Sequence, residues 1–179
     1  YIYNAFGTEV TIIEMMPNLL PVEDDDISDA ITKSYRKAGI NCLTDTKVTG
    51  TRDNGSSVTI TVESSSGTKE ITADCCLVAI GVAPVLPGGQ QPKLTDRGWV
   101  EISDCYETSL PNVYAIGDIA GPPWLAHTAS FEAMQCVEGI FVEGTAVKRV
   151  GDFPGCTYCY PEVASVGKTE RALKEEGIE

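Results

Sequence analysis

The sequence is poor in positive charge. Its 179 residues include 13 Lys and Arg against 26 Asp and Glu, so the formal net charge is −13. Nucleic-acid-binding domains carry a basic face, and this balance therefore argues against that class of function. A surplus of acid favours solubility and, where a protein partner exists, a basic one.

Long apolar runs and common start signals are also missing. No run approaches the ~18–20 apolar residues that a membrane-spanning helix needs, and the chain starts with neither Met nor a signal peptide. Residues 1–6 instead look like the last turns of a helix that Gly7 closes. No Gly-rich G-x-G-x-x-G turn occurs anywhere in the sequence. We therefore expect the chain to be a fragment of a longer protein.

Metal-binding side chains are scarce as well. The sequence has one histidine, His127, and seven cysteines. The number of cysteines is odd, and most of them lie in apolar strand or helix patterns. This usage predicts buried thiols in a reducing compartment rather than a disulfide framework. Cys156 and Cys159 form a C-x-x-C, but on a strand they would point to opposite faces. We predict no metal site.

What is present is a pattern of alternating strands and helices. The apolar patterns predict a strand–helix–strand unit, then a three-stranded meander with turns at Gly55 and Gly67, then further strands and helices. The predicted strands are 8–14, 40–43, 47–52, 57–63, 69–73, 75–80, 99–102, 113–116 and 156–166, and the predicted helices are 27–38, 125–148 and 169–176.

The stretch 112–118 is the most informative part of the sequence. A short apolar run, predicted to be a buried strand, ends in Gly117 and Asp118, and a long helical pattern follows from about Leu125. Ligands of open α/β sheets bind at the carboxyl ends of such strands. Asp118 could accept a hydrogen bond from a hydroxyl, and the helix start offers free N–H groups. The alternative is a Gly-Asp turn that only caps the helix.

The order Pro-Asn-Val-Tyr-Ala-Ile-Gly-Asp, a loop, then Leu-Ala-His-Thr-Ala resembles the second flavin-binding motif of the FAD-dependent pyridine nucleotide–disulfide oxidoreductases. Within that family it is most similar to the dihydrolipoamide dehydrogenases, notably at 14–17 and 174–178. The resemblance implies an α/β, Rossmann-like FAD- and NAD-binding fold. It implies that Asp118 binds a ribityl hydroxyl of FAD, with Gly117 beside it. Backbone N–H groups of Leu125, Ala126 and His127 would face the flavin.

The same resemblance implies an NAD site. Glu14 ends the second strand of the Rossmann-like unit, where an acid binds both ribose hydroxyls and repels the 2′-phosphate of NADP. Gly81 would lie along the nicotinamide half. The alternatives are an ordinary strand-end acid at Glu14 and a simple strand terminator at Gly81.

Three parts are expected: a partial NAD-binding domain (1–82), the C-terminal part of an FAD-binding domain (83–152) and the start of an interface domain (153–179). The resemblance implies a cytoplasmic or mitochondrial-matrix homodimer that oxidises dihydrolipoamide on a lipoyl domain, and a 2-oxo acid dehydrogenase complex is the assembly that it suggests. The redox Cys-x4-Cys of the family is absent here, and we expect no catalytic residue in this chain. An NADH oxidase, a mercuric reductase, a transhydrogenase or a non-catalytic nucleotide-binding module are the alternatives.

Overall fold

The structure is a computed structural model, and it describes residues 1–145, 147, 149 and 151–178. The chain forms two compact units. Residues 1–78 and 156–179 make up unit 1, and residues 79–155 make up unit 2. None of the helices in the described ranges is both long and apolar enough to cross a membrane.

Unit 1 begins with the predicted strand–helix–strand arrangement. A short helix α1 (Ile2–Ala5) precedes β1 (Thr11–Ile13), α2 (Asp25–Lys37) and β2 (Asn41–Leu43), and β1 pairs with β2 in parallel. Acids in the first turn of α2 and bases in its last turn complement the helix dipole. The βαβ unit predicted from the sequence is confirmed, with a shorter first strand.

The meander follows β2 and is also confirmed. Strands β3 (Lys47–Asp53), β4 (Val58–Ser64) and β5 (Gly67–Ala73) form an antiparallel sheet in the order β3-β4-β5. Gly55 and Gly67 take positive φ values of 88° and 102° at the two turns, a conformation that costs glycine little.

The end of the chain completes unit 1 with a hairpin and a helix. Strands β6 (Gly155–Thr157) and β7 (Val163–Ser165) pair with each other, and α4 (Glu170–Glu175) starts behind the Thr169 cap, whose hydroxyl accepts from the Ala172 N–H. The single strand predicted over 156–166 is wrong. Pro161 lies inside that range and has no N–H to give to a ladder, so the segment folds into two strands instead.

Unit 2 contains a 3₁₀ turn, Gly117–Ala120, and the helix α3 (Ala126–Phe141). The helix predicted to reach Lys148 ends at Phe141, because Val142 is extended with φ −109° and ψ 108°. Lys148 itself lies outside the described residues.

Two predicted strands of unit 2 are reduced to single bridges. Val100 pairs with Leu94 alone, and Tyr114 pairs with Glu107 alone. In both pairs a tight turn follows directly after the first paired residue, so the pairing does not extend into a longer ladder of strand hydrogen bonds. In the second, the Thr108 N–H donates to the Val113 carbonyl at 2.9 Å across residues 109–112. The strands predicted over 99–102 and 113–116 are therefore wrong.

The buried strand predicted over 75–80 is also wrong. These residues are not in a strand, and Leu77, Val78 and Ile80 are 76%, 68% and 94% exposed. Among the described residues β1 and β2 form a sheet of only two strands. An apolar run needs a neighbouring strand to supply its hydrogen bonds, and the described part of the chain supplies none here.

The cysteines divide by burial. All seven lie in the described ranges and are free thiols, in agreement with the absence of a disulfide framework. The expectation that they are mostly buried is wrong for Cys75 and Cys76, because the strand predicted over 75–80 did not form, and it is also wrong for Cys105. The buried cysteines are Cys42, Cys136 and Cys159, and Cys156 is half-buried. The exposed cysteines are Cys75, Cys76 and Cys105.

Candidate functional site

Gly117 is the centre of the candidate flavin site in unit 2. It is buried, has a φ of 66°, and a Cβ built on it would lie 3.1 Å from the Cβ of Ala129 on α3. Any larger residue would therefore meet both backbone strain and a close contact. This glycine allows the turn Gly117–Ala120 to pack directly against the first turns of α3.

A buried carboxylate fixes this turn, and the sequence analysis missed it. The Gly117 N–H donates to Oε2 of Glu132 at 2.7 Å, and Glu132 is only 6% exposed. The signal in the sequence was an acid on the inward face of α3, which also carries the buried Thr128 and Cys136 at helical spacing. An acid at such a position needs a partner.

The side chain of Asp118 projects from the fixed turn. It is exposed, and its carboxylate has no hydrogen-bond partner in the part of the chain that the structure describes. Its backbone carbonyl accepts from the Gly121 N–H at 3.3 Å. Asp118 is thus a free acceptor carried by a backbone that Gly117 and Glu132 hold in place.

The start of α3 offers the donors that the resemblance implied, with one change. Leu125 precedes the helix in an extended conformation, and the Ala129 N–H is the first to donate to it, at 3.0 Å. The N–H groups of Ala126, His127 and Thr128 therefore have no carbonyl acceptor within the helix. The Leu125 N–H already donates to the Pro123 carbonyl at 3.0 Å and is not free.

A buried hydroxyl at the same helix end has no partner. Thr128 is 1% exposed, and its Oγ1 makes no hydrogen bond among the described residues. Buried hydroxyls in native proteins nearly always have a partner, so an orphaned one invites a ligand or a water. The free acceptor at Asp118, the free N–H groups and this hydroxyl together fit a polyhydroxylated ligand with an acceptor edge, as FAD has.

His127 points elsewhere. Its side chain is exposed, and Nε2 lies 2.9 Å from the carbonyl oxygen of Pro154. That hydrogen bond links the start of α3 to the segment that follows the helix, so the imidazole has a structural role. Only the backbone N–H of His127 belongs to the candidate site.

A buried tyrosine of unit 2 is hydrogen-bonded to a half-buried side chain of α3. Tyr106 is fully buried, with a positive φ of 65°, and its hydroxyl donates to Oε1 of Gln135 at 2.7 Å. Burial, helped by the nearby Glu132 carboxylate, raises the pKa of Tyr106. Its hydroxyl is therefore neutral at ordinary pH and serves as a donor.

The predicted NAD residues are placed separately, Glu14 in unit 1 and Gly81 in unit 2. Glu14 directly follows β1 and is half-buried, and its Oε1 accepts from the Met16 N–H at 2.8 Å. Its Oε2 makes no hydrogen bond in the described part of the chain. Gly81 is exposed with a φ of 126°, and a Cβ there would meet nothing within 4 Å. Gly81 is therefore needed for its backbone angle and not for a close approach.

A metal site is not formed by the described residues, where no three His, Cys, Asp or Glu side chains come together. In the C-x-x-C, the Cys159 thiol donates to the carbonyls of Thr157 and Pro161 at 3.2 and 2.9 Å. Cys159 is thus a buried thiol held by its own backbone.

Comparison with known proteins shows the family to which the chain belongs. Residues 1–133 match the pyridine nucleotide–disulphide oxidoreductase family. The chain is 42% identical over 180 residues to a dihydrolipoyl dehydrogenase of Rhizobium etli, covering 98% of this chain and 37% of that protein. It is 39% identical over 186 residues to one of Mycobacterium bovis, covering 100% of this chain and 40% of that protein. The chain thus spans about 40% of the length of these curated relatives.

Solved structures agree on the fold. The HOCl-induced flavoprotein disulfide reductase RclA of Escherichia coli superimposes with a TM-score of 0.86 at 23% identity, covering 99% of this chain and 41% of that one. LpdA of Mycobacterium tuberculosis superimposes with a TM-score of 0.84 at 21% identity, covering 97% and 38%. The predicted Rossmann-like α/β fold is therefore confirmed. By sequence match and by fold, the chain belongs to the pyridine nucleotide–disulphide oxidoreductase family.

Proposed function

We propose that the chain is part of an FAD- and NAD-dependent dihydrolipoamide dehydrogenase. The observation that carries the proposal is the turn at Gly117, which the buried Glu132 carboxylate fixes at 2.7 Å and which presents Asp118 without a partner among the described residues. Relatives named dihydrolipoyl dehydrogenase, 36–42% identical to this chain, support the choice within the family.

The flavin would be held by the residues assembled around this turn. Asp118 would accept a hydrogen bond from a ribityl hydroxyl, while Gly117 allows close approach of the backbone. The N–H groups of Ala126 and His127 would donate to the flavin edge, and the Thr128 hydroxyl would gain a partner. Leu125 contributes through its carbonyl, which accepts the first hydrogen bond of α3, from the Ala129 N–H. A charge-assisted hydrogen bond of the Asp118 kind is worth about 1.5–3 kcal/mol.

The nicotinamide cofactor would be NAD, with Glu14 as the ribose acid. One carboxylate oxygen of Glu14 is occupied by the Met16 N–H, which orients the side chain and leaves Oε2 for a ribose hydroxyl. A negative carboxylate at this place repels a 2′-phosphate. Gly81 would lie beside the nicotinamide half, where its positive φ shapes the backbone.

When bound, the two cofactors would supply the redox chemistry, and the protein would supply orientation and electrostatics. A dithiol substrate loses two electrons and two protons and becomes a disulfide, while NAD gains a hydride and one proton is released. The residues described here bind and orient the cofactors. We assign none of them as a nucleophile, acid or base.

The wider setting belongs to the same proposal. It includes the three-part division at 82/83 and 152/153, a homodimer, and dihydrolipoamide on a lipoyl domain as the substrate. Assembly into a 2-oxo acid dehydrogenase complex, in the cytoplasm or the mitochondrial matrix, completes it.

Turnover by the full-length enzyme tests the proposal. We expect it to oxidise dihydrolipoamide with NAD and to show a lower kcat/KM with NADP because of Glu14. Oxidation of NADH by oxygen, reduction of Hg²⁺, or hydride exchange between nicotinamides, each without dihydrolipoamide turnover, would assign another activity of the family. Nucleotide binding without any turnover would indicate a non-catalytic module.

A further inference from the structure

Two segments far apart in the sequence of unit 1 are held together by polar side chains. We define the Glu14 loop as residues 14–24, which run from the end of β1 to the start of α2. We define the C-terminal clasp as Ser165, Glu170 and Arg171, which lie at the end of β7 and the start of α4. The clasp contacts the far end of the Glu14 loop and the first turn of α2.

Arg171 contacts two residues of the Glu14 loop and the first turn of α2, more than either of the other clasp residues. Its Nη2 donates to the Pro21 carbonyl at 2.9 Å, and its Nη1 pairs with Oδ1 of Asp25 at 3.0 Å. The planar guanidinium donates from both ends in a fixed geometry, so it holds the loop carbonyl and the helix start relative to each other. A lysine at this position could not bridge them in the same way.

The other two members of the clasp bind the neighbouring acids. The Ser165 hydroxyl donates to Oε1 of Glu23 at 3.1 Å, and Glu23 is only 8% exposed. The backbone N–H of Glu170 donates to Oδ1 of Asp24 at 2.8 Å. The clasp therefore contacts three consecutive acidic side chains, two at the end of the loop and one in the first turn of α2, together with the Pro21 carbonyl.

From there the contacts continue toward Glu14. Oδ1 of Asp25 also accepts from Nδ2 of Asn18 at 2.8 Å, and the buried Ser28 hydroxyl accepts from the Leu20 N–H at 3.1 Å. At the near end Glu14 binds the Met16 N–H. The loop is thus anchored at both ends and through Asn18 in its middle.

Apolar packing supports the same arrangement. Ile31 of α2 packs with Cys159 and Val163 of the hairpin, and Leu20 of the loop and Tyr35 lie against this cluster. The loop backbone is therefore fixed partly by residues that follow it by about 140 positions.

We propose that Ser165, Glu170 and Arg171 are positioning residues for nucleotide binding, because they hold the Glu14 loop in the conformation that orients the Glu14 carboxylate. This inference rests on the proposed function, in which Glu14 binds the ribose of NAD. It adds a role for the C-terminal segment in the affinity for the nucleotide.

The double variant Ser165→Ala with Arg171→Met, in the full-length enzyme, tests the proposal with NADH as the probe. The double variant removes three polar contacts, those of Arg171 with Pro21 and Asp25 and that of Ser165 with Glu23. The loss of these contacts predicts a rise of about three- to tenfold in the Kd for NADH. Hydrogen exchange across residues 15–24 should accelerate, while flavin absorbance and kcat stay unchanged. Unchanged exchange across β3–β5 will show that unit 1 remains folded.

Lys168→Met is the matched control. It removes the exposed ion pair between Lys168 and Glu176 in the same part of the chain and leaves the clasp intact, so NADH affinity should not change. If the double variant fails to fold, Arg171→Met alone, which alters one exposed side chain, should still raise the Kd for NADH by about twofold.

The outcomes separate the two proposals. NADH binding that the variants do not weaken, or a loss of flavin that accompanies the weaker binding, would overturn the positioning role alone. An unsubstituted enzyme that does not bind NADH at all would overturn both this role and the proposed function.

Discussion

Gly117 and Glu132 show how two residues set up a binding position that neither could supply alone. Glycine permits the φ of 66° and the close approach to Ala129, and the buried carboxylate satisfies the N–H that this approach removes from water. The backbone that carries Asp118 therefore needs little ordering when a ligand binds, which lowers the entropic cost of binding.

At this scale the sequence analysis selected residues that carry a local signal and missed residues whose partners lie elsewhere in the fold. Gly117 and Asp118 could be selected because a Gly-Asp pair ahead of a helix is a local signal. Glu132 and the orphaned Thr128 hydroxyl could not, because their significance depends on which backbone groups α3 meets across the fold. The occupied N–H of Leu125 likewise depends on the conformation of Pro123, which no spacing reveals.

Removing the Glu132 side chain should loosen the turn at Gly117. In Glu132→Ala the Gly117 N–H is left buried without its acceptor, at a cost of about 1–3 kcal/mol. Hydrogen exchange of residues 113–121 in the 179-residue chain should accelerate by roughly 5- to 150-fold. Glu132→Gln, which keeps an acceptor, should change it much less, and Glu138→Ala on the exposed face of α3 should not change it. Equal exchange in all variants would contradict the role of Glu132.

Among the elements, those with local signals were predicted and those that need a distant partner were not. The helices α2 and α4 and the meander β3–β5 follow from helical periodicity, strand alternation and glycine turns. The strands expected over 75–80, 99–102 and 113–116 followed from apolar runs alone. An apolar run shows that a segment is suited to burial, but its hydrogen-bond partners come from elsewhere in the chain.

Packing of α2 against the β6–β7 hairpin has a consequence for pH dependence. Burial, the neighbouring Cys159 thiol and its hydrogen bond, and the nearby Cys42 raise the pKa of Tyr35 from 10.0 to about 12. A tyrosine whose pKa is raised on folding stabilises the fold fully below its unfolded pKa, and this stabilisation is lost as the pH rises through the folded value.

The free energy of unfolding of the 179-residue chain should therefore fall between pH 10 and 12 more steeply than in Tyr35→Phe. Urea titrations at a series of pH values measure this difference. Tyr3→Phe, which alters an exposed ring, is the control and should keep the steep fall. Parallel curves for the unsubstituted chain and Tyr35→Phe would show that this contact does not link α2 to the hairpin.

For the molecule as a whole, the sequence predicted the family and the βαβ-plus-meander architecture, because both depend on motifs that keep their order along the chain. It did not predict that residues 156–179 pack in the same unit as residues 1–78. That association rests on Arg171, Ser165 and a small apolar cluster, and none of these side chains carries a local signal for a partner more than 100 residues away.

The 179-residue chain made alone should bind neither FAD nor NAD tightly. It contains no G-x-G-x-x-G turn, the element that holds a dinucleotide pyrophosphate at a helix N-terminus. Contacts of Asp118 and Glu14 with sugar hydroxyls would have to overcome an association cost of ~4–15 kcal/mol. The purified chain, incubated with FAD and dialysed, should be colourless. A yellow protein with stoichiometric flavin would contradict this expectation.

The most direct test of the central claim is FAD retention by the full-length enzyme with Asp118→Ala. Loss of a hydrogen bond to a charged acceptor worth about 1.5–3 kcal/mol should weaken FAD binding by roughly 10- to 150-fold. Asp118→Asn, which keeps an acceptor, should lose less, and Asp96→Ala, at an exposed turn of the same unit, should lose nothing. Flavin content after dialysis that falls in the order Asp96→Ala, Asp118→Asn, Asp118→Ala is the predicted result. Full flavin content in Asp118→Ala would show that Gly117 and Asp118 form only a helix-capping turn.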